Sequence, residues 1–374
     1  MSALLGRLGK AMLLLAALVY IGAYLAHPAL PGANQLLPLG WWGWWDQGWY
    51  LKSANALAQL SFDPSSHWYP VGYPALGALF VRFIPQHPFL IPNLLCFLGM
   101  MVVLFRIFRA FLSRLESVVL LGVCLLQQLF LEHLLIPWST IPTQLGTYVI
   151  ILLLVVRRPQ RRDLLIASAV AGAMALFRPG DVVFVFPLFV AAVCYRLPLR
   201  RAVGEAVMAV SVVAGFILLA LLINRGVFGV FWATPYTKVV DGIGFGVTSF
   251  WIDLYGLLVS AREVFALDTP MLLERYPWLL ITLPGVAVLI QRLGLRGVAL
   301  AASVLITFSF YLAYQDFDAS TAFRFNTIHY LLWILPLALL AAYLTLRSAW
   351  KRLRLRLLLP LLCAPCLCVA SVHV

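Results

Sequence analysis

Charged residues are scarce in this chain. Of its 374 residues, only 11% are Asp, Glu, Lys or Arg, whereas 63% are hydrophobic. A soluble domain averages about 45–50% apolar and about 25% charged residues, so this composition excludes a soluble enzyme. At about 20 residues per membrane-spanning helix, the chain has room for roughly ten to twelve such helices.

Cysteines are missing from the polar segments, and the common catalytic signatures are missing from the whole sequence. All six cysteines lie in apolar runs, so no disulfide framework is predicted. Cys363, Cys366 and Cys368 resemble a metal-ligand spacing, but no second cluster or histidine pair completes a site. We find no P-loop, HExxH zinc motif, GxSxG elbow or dinucleotide fingerprint. Function must therefore be sought in the placement of the few charges.

Eleven apolar runs alternate with short polar segments. They extend over about 11–27, 88–107, 117–137, 141–156, 164–177, 181–195, 203–223, 276–290, 298–314, 327–346 and 357–374. If the N-terminus is cytoplasmic and the runs cross in alternation, 19 of the 27 basic residues fall in cytoplasmic segments, with only three of the 14 acids. This distribution follows the positive-inside rule. The net charge of +13 is therefore a topology signal, and no nucleic-acid partner is needed to explain it.

The predicted fold is an all-α polytopic membrane protein, with one transmembrane domain over 1–374, about 11 spanning helices and no separate soluble domain. Because Arg7 and Lys10 precede the first run, we interpret that run as an uncleaved signal anchor. Segment 69–84 must not cross, because an extra span would invert every later loop. We expect it to form a juxtamembrane or re-entrant helix on the outer face.

Three outer segments are then expected to carry the chemistry: a first loop over 28–87, a second over 224–275 and a third over 315–326. With the turn 177–181, they hold 10 of the 14 acids. In the second loop, glycines recur at alternate positions from Gly242 to Gly246. This pattern indicates a turn-rich stretch that a ligand or another loop approaches closely.

One carboxylate stands among five tryptophans at the start of the first outer loop. Residues 41–50 read WWGWWDQGWY, with Asp46 as the acid. An aromatic belt at the membrane interface explains the tryptophans but not the acid. In apolar surroundings a carboxyl has a raised pKa and suits a general base, and acids at membrane depth are functional by default.

Short motifs along the chain resemble those of the GT-C superfamily of integral-membrane glycosyltransferases, which includes the dolichyl- and undecaprenyl-phosphate mannosyl- and aminoarabinosyltransferase-like families. The motifs are Asp46 with Tyr50, Tyr69-Pro70 with Tyr73-Pro74, Arg178-Pro179-Gly180, and Arg324 before His329-Tyr330 and Pro336. In that family the segment after the Tyr-Pro motif is an outer juxtamembrane helix, in agreement with the placement that the charges require. The resemblance covers most of the chain by topology.

The resemblance implies an inverting transfer of a sugar from a polyprenyl-phosphate donor to a lipid, glycan or protein acceptor on the outer face. Asp46 is the predicted catalytic base. The cations predicted to hold the donor phosphate are Arg178, Arg324, Lys52 and His329. The residues predicted to bind sugar or acceptor are Trp45, Trp49, Tyr50, Tyr69, Tyr73, Glu132 and Gln144.

Two departures from the family pattern weigh against a bound metal. Many members carry two acids where this chain has Asp46 and Gln47, and a Glu where this chain has Gln144. Glu132 and His133, just upstream, substitute for the missing acid, or Glu132 pairs with His133. Because Mg²⁺ and Mn²⁺ prefer several oxygen ligands, no metal or other cofactor is predicted, although a divalent ion stays an open alternative.

Each predicted cation also has a simpler interpretation. Arg324 would form a salt bridge to a nearby acid, Arg178 would snorkel from a helix end, and His329 would be a packing histidine. Lys52 and His67 would be solvated loop residues.

Two other functions fit the composition: a polysaccharide polymerase or related lipid-linked glycan enzyme, and a lipid or glycan transporter or flippase. A transporter predicts charges at the bilayer midplane, whereas these charges cluster at helix ends. Four lysines against 23 arginines, and the absence of an N-x-S/T site, favour a bacterial inner-membrane protein with its active site on the periplasmic face.

Overall fold

The computed structural model describes residues 7–195, 199–232, 234–260, 271–315 and 327–353. Within these ranges the chain is helical and contains no strand, apart from one isolated bridge between Phe245 and Tyr314. The α-helices are α1 Arg7–Leu25, α2 Trp45–Ala58, α3 Gly72–Ala78, α4 Leu90–Arg109, α5 Arg114–Leu126, α6 Gln128–Leu135, α7 Thr140–Ile150, α8 Arg161–Phe177, α9 Asp181–Cys194, α10 Leu199–Phe228, α11 Pro235–Ile243, α12 Val247–Leu258, α13 Leu272–Arg275, α14 Thr282–Leu293, α15 Leu295–Ala313 and α16 Leu335–Leu353. A π-helical turn, Ile151–Val156, extends α7.

Four helices are long and apolar enough to cross a membrane, and a bent pair raises the number to five. The four are Leu90–Arg109, Ala202–Phe228, Leu295–Ala313 and Leu332–Trp350, and the pair is Arg114–Leu126 with Leu129–Leu135. Very little of the Ala202–Phe228 helix is buried: the buried share of its most apolar window is only 6%. A polar solvent would not tolerate that apolar face, so these helices are compatible with a membrane protein.

A helix occupies each of the ten predicted apolar runs that lie within the described residues, but the estimate of about 11 spans is not confirmed. The reason is length. Asp181–Cys194 has 14 residues, which reach about 21 Å at 1.5 Å per residue, against a hydrocarbon thickness of about 30 Å. The last predicted run, 357–374, lies outside the described residues.

Segment 69–84 forms only a short helix, as its predicted juxtamembrane position requires. Helix α3 has seven residues, far too few to cross a bilayer. Its first residue, Gly72, packs against the carbonyl of Leu176 in the last turn of α8, where a Cβ atom would overlap that oxygen. This close approach brings the first outer loop to the end of α8.

The second outer segment is more ordered than a loop, because it contains α11, α12 and α13. Its glycine stretch has the predicted turn: Gly244 has a φ of +81°. The backbone N–H of Gly246 donates to the Ala313 carbonyl at 2.8 Å, and that of Gln315 donates to Gly244 at 3.2 Å. The prediction that another loop approaches these glycines is therefore confirmed for the start of the third outer segment.

Basic segments that the charge pattern places on the cytoplasmic side contact other elements of that side. Arg347 of α16 forms a 3.2 Å salt bridge to Glu116 of α5 and donates to the Phe111 carbonyl at 2.9 Å. Arg296 of α15 donates to the Val155 carbonyl at 2.9 Å and packs over the Tyr195 ring. These contacts support the predicted alternation of the segments concerned.

Gly285 is the point of closest approach between α14 and α16. A Cβ atom there would overlap the Ala341 carbonyl oxygen, whereas Gly122 on α5 has no atom within 4 Å of its Cβ position. We expect Gly285→Ala to lower stability in detergent by about 1–3 kcal/mol, because the helices must separate. Gly122→Ala is the matched control and should be neutral or stabilising. Equal unfolding temperatures for the two variants would contradict this close crossing.

Candidate active site

Asp46 lies in the first turn of α2, where a negative charge is favoured by the helix dipole. The Tyr69 hydroxyl donates a short hydrogen bond to Asp46 Oδ1. Burial, and then the charge of Asp46, raise the pKa of Tyr69 well above its usual range. Tyr69 therefore stays protonated and orients the carboxylate at any physiological pH.

Tyrosine rings surround this pair. Tyr50 packs against Tyr69 and Tyr73 with ring centroids 5.0 Å apart in each case, and Tyr69 packs at 5.0 Å against Tyr236 of α11. Tyr73, a predicted sugar-binding residue, is fully buried and donates its hydroxyl to Asn93 at 3.1 Å. The structure thus places Tyr73 in the core beneath Tyr50 and leaves Tyr69 beside the carboxylate.

Arg178 ends α8, since the following Pro179 disfavours helical backbone at the residue before it. Its side chain is only 17% exposed and forms a 3.4 Å salt bridge to Asp181. Nη2 donates to the Tyr311 hydroxyl at 3.2 Å, and the guanidinium carbon lies 4.6 Å from the centroid of the Tyr330 ring. The snorkelling interpretation of Arg178 is therefore wrong, because its charged head points to partners inside the helix assembly.

A hydrogen-bonded bridge connects Asp46's neighbours to Arg178. The hydroxyls of Tyr50 and Ser139 lie 3.0 Å apart, and Arg178 Nη1 donates to Ser139 Oγ at 3.4 Å. Tyr50 in turn packs on Tyr69, which holds Asp46. A carboxylate and a guanidinium that are 132 positions apart in the sequence thus belong to one polar cluster.

Beside Arg178 is a small cavity with unpaired polar atoms. It is lined by Thr140, Thr143, Gln144, Thr147, Asp181, Phe184, His329, Tyr330 and Trp333, and its volume of about 10 Å³ admits the centre of one water molecule. Thr140 Oγ1, Gln144 Oε1 and His329 Nδ1 are buried without a hydrogen-bond partner among the described residues. Leaving such an atom unpaired lowers the stability of the fold by about 1–3 kcal/mol. We therefore expect a water molecule or a ligand hydroxyl to bind these atoms.

His329 stacks on Trp138 with a centroid separation of 4.2 Å, and its backbone carbonyl accepts from Gln144 Nε2 at 3.2 Å. His329 therefore packs against an aromatic ring, as the simpler interpretation predicts. Its Nδ1 lies beside the cavity and has no hydrogen-bond partner among the described residues. Gln47 is buried and donates to the Pro137 carbonyl at 3.2 Å. Its side-chain amide therefore holds two backbone segments together.

Three tryptophans form a surface next to Asp46. The rings of Trp49 and Trp68 stack at 5.3 Å, and Trp45, which is 64% exposed, meets Trp68 edge-on at 5.6 Å. Lys52 lies over Trp49 and donates to the Ser65 carbonyl at 2.7 Å. Lys52 is exposed there and has no direct contact with the Arg178 cluster among the described residues.

The predicted alternative in which Glu132 pairs with His133 is wrong. His133 Nδ1 hydrogen-bonds the Leu129 carbonyl at 3.0 Å, and consecutive helical residues do not face each other. Glu132 instead interacts electrostatically with Arg275. Within the described residues it makes no hydrogen bond or ion pair to Asp46 or Arg178. Arg324, with the acids Asp316 and Asp318 proposed as its salt-bridge partners, lies outside the described residues.

Sequence reasoning missed several members of the cluster. Ser139, Asp181 and Tyr311 were assigned no role, and Tyr236 was only one residue of an unassigned loop. Asp181 had a usable signal, because an acid three positions after Arg178 shares its turn. Tyr311 had none, since it belongs to an apolar run. Among the described residues, no group of three or more His, Cys, Asp or Glu side chains is placed to hold a metal.

Comparisons with protein-family models, with curated protein sequences and with solved structures find no match to this chain. Its function therefore has to be argued from the geometry of this site.

Proposed function

We propose that this protein is an inverting glycosyltransferase of the GT-C type, which moves a sugar from a polyprenyl-phosphate carrier to an acceptor hydroxyl. One observation carries the proposal: the Asp46 carboxylate and the Arg178 guanidinium belong to one partly buried cluster, joined through Tyr69, Tyr50 and Ser139. A base and a phosphate-binding cation are the two groups that this reaction requires. About 11 spans, a bacterial inner membrane and a periplasmic site are parts of the same proposal.

The proposed step is a single displacement. The acceptor oxygen bonds to the anomeric carbon of the sugar while its proton passes to Asp46. The bond from that carbon to the phosphate oxygen breaks through an oxocarbenium-like state. Polyprenyl phosphate leaves with the electron pair, and Arg178 stabilises the charge that develops on it. Attack opposite the leaving group inverts the configuration at the anomeric carbon.

Arg178 has donors to spare for a phosphate. A guanidinium carries five N–H bonds, and the contacts to Asp181, Ser139 and Tyr311 engage three of them at 3.2–3.4 Å. A phosphate oxygen would take the remaining N–H groups without displacing the others.

The tryptophan surface suits a pyranose ring. Aromatic faces offer sugars a flat apolar surface, and Trp45 and Trp49 flank the acid on the same helix. Trp45 is 64% exposed, so an acceptor or donor sugar can lie against it while a hydroxyl reaches Asp46. The unpaired atoms of Gln144 and His329 offer further contacts to sugar hydroxyls.

A transporter or flippase is an alternative function that the apolar composition also fits. A lipid-linked glycan polymerase would use the same arginine without needing Asp46. Direct assay separates the three.

The test is sugar transfer by the purified full chain in proteoliposomes. Polyprenyl-phosphate sugars labelled in the sugar are supplied with lipid, glycan or peptide acceptors, and both products and lipid movement between leaflets are followed. Transfer with inversion at the anomeric carbon supports the proposal. Lipid movement without transfer of a sugar would indicate a transporter and contradict the proposal. Elongation of a diphosphate-linked glycan would indicate a polymerase and also contradict it.

Tyr69→Phe should reduce transfer by about tenfold to a hundredfold. The variant keeps the ring that packs on Tyr50 but removes the donor to Asp46, and a hydrogen bond to a charged group is worth about 1.5–3 kcal/mol. Tyr24→Phe, which removes a hydroxyl bound to His87 elsewhere in the outer region, is the matched control. Equal rates in the two variants would show that Tyr69 does not position the carboxylate.

A further inference from the structure

A second, larger cavity lies at the opposite end of α8, where the chain turns from the π-helical end of α7 into α8. It has a volume of about 480 Å³, and its lining residues are Leu153, Arg157, Arg158, Gln160, Arg162, Asp163 and Ile166. The charge pattern assigns this turn to the cytoplasmic face. The proposed transfer chemistry uses none of these residues.

The cavity carries an excess of positive charge. Three arginines face one acid, and the acid is already engaged: Asp163 Oδ2 accepts from the backbone N–H of Gln160 at 2.9 Å and caps α8. Within the described residues, no ion pair joins these arginines to a carboxylate. The N-terminus of α8 adds the positive end of a 17-residue helix. The lining therefore keeps a net positive charge even with the Asp163 carboxylate included.

The turn that carries the arginines is held in place before any ligand binds. The backbone N–H of Arg157 closes the π-turn on the Leu152 carbonyl at 3.1 Å. From α15, Arg296 reaches across and donates to the carbonyls of Val155 and Arg157. Such π-helical turns recur at functional sites. A prearranged backbone reduces the entropy lost when the arginines close on a ligand.

The lining indicates the class of ligand. Guanidinium groups bind phosphate oxygens in pairs, and Ile166, which is 39% exposed one turn into α8, continues the cavity with apolar surface. The arginines of the lining suit the phosphate headgroup of a phospholipid, and the adjoining apolar surface of Ile166 suits the upper part of its acyl chain. We propose that this cavity binds the phosphate headgroup of an anionic membrane phospholipid from the cytoplasmic leaflet.

The experiment measures lipid binding by the delipidated full chain in detergent. Native mass spectrometry follows the retention of phosphatidylglycerol and of phosphatidylcholine as each is titrated. Wild type should retain phosphatidylglycerol preferentially. Arg158→Gln with Arg162→Gln should weaken that retention about tenfold or more, because two of the guanidinium groups that bind the phosphate are lost. The control, Arg109→Gln with Arg114→Gln, removes the same charge from another exposed basic segment and should change it less than about threefold.

Three results would overturn the proposal. Equal losses in the two double variants would mean that only bulk charge attracts the lipid. Equal retention of the two lipids by wild type would mean that no anion is recognised. Displacement of phosphatidylglycerol by inorganic phosphate at an equal phosphate concentration would assign the cavity to a free phosphate compound instead. The lipid-binding measurement does not depend on sugar transfer, which is measured in a separate assay of the same double variants. If the proposed transfer activity is absent, lipid binding can still be tested.

Discussion

Asp46→Asn should reduce sugar transfer by about 100-fold or more while the donor still binds. The amide keeps the size of the side chain and still accepts from the Tyr69 hydroxyl, so the local structure is preserved. It cannot take a proton from the acceptor, however, and general base catalysis typically contributes about 10²–10⁴-fold. The measurement is the initial rate of transfer in proteoliposomes at matched protein, with equilibrium binding of the donor measured alongside.

Asp63→Asn is the matched control for this result. Asp63 lies in the same outer loop, is exposed, and accepts from the backbone N–H of Ser65 at 3.0 Å, a role that Asn can also fill. Its transfer rate should equal that of wild type. An Asp46→Asn enzyme with an unchanged rate would remove Asp46 from the role of base, and Glu132 would become the next acid to test.

Arg178→Gln should lower kcat/KM by about 10²–10³-fold, the usual effect of removing one group that stabilises charge in the transition state. The substitution also leaves Asp181 without its ion-pair partner in a largely buried position. An unpaired buried group costs about 1–3 kcal/mol of stability. Lower activity alone would therefore not distinguish phosphate binding from misfolding.

The double variant Arg178→Gln with Asp181→Asn makes the distinction. It removes both charges of the pair, so thermal stability in detergent should return towards that of wild type. Transfer should stay low if Arg178 holds the departing phosphate. Recovery of transfer together with stability would show that the pair only connects α8, α9 and α15, and would remove Arg178 from the proposed mechanism.

The two charged residues of the site could be predicted from the sequence, but their connection could not. Asp46 was identifiable from its neighbours, because an acid among five tryptophans is unexpected at a membrane interface. Arg178 was identifiable because it precedes a proline at the end of an apolar run. The connection between them was not, since it passes through Ser139 and through tyrosines whose partners lie tens of residues away in the chain. Hydroxyl groups in apolar runs carry no periodic signal that identifies their partners.

The pairing of Glu132 with His133 failed for a related reason. Adjacent titratable residues look like partners in a sequence, but a helix turns by about 100° per residue and directs them to different neighbours. His133 therefore bonds the backbone of its own helix, and Glu132 interacts electrostatically with Arg275 of a distant segment.

By itself, the sequence determined that the chain is helical, where its apolar segments lie, that segment 69–84 forms only a short helix, and which short turns carry the unusual charges. These properties depend on local composition and on periodicity, which act over one or two helical turns. Tertiary structure alone decided how long each helix is, which residues meet Arg178, and that the turn before α8 encloses a basic cavity. Those outcomes depend on side chains far apart in the chain, and only packing brings them within hydrogen-bonding distance.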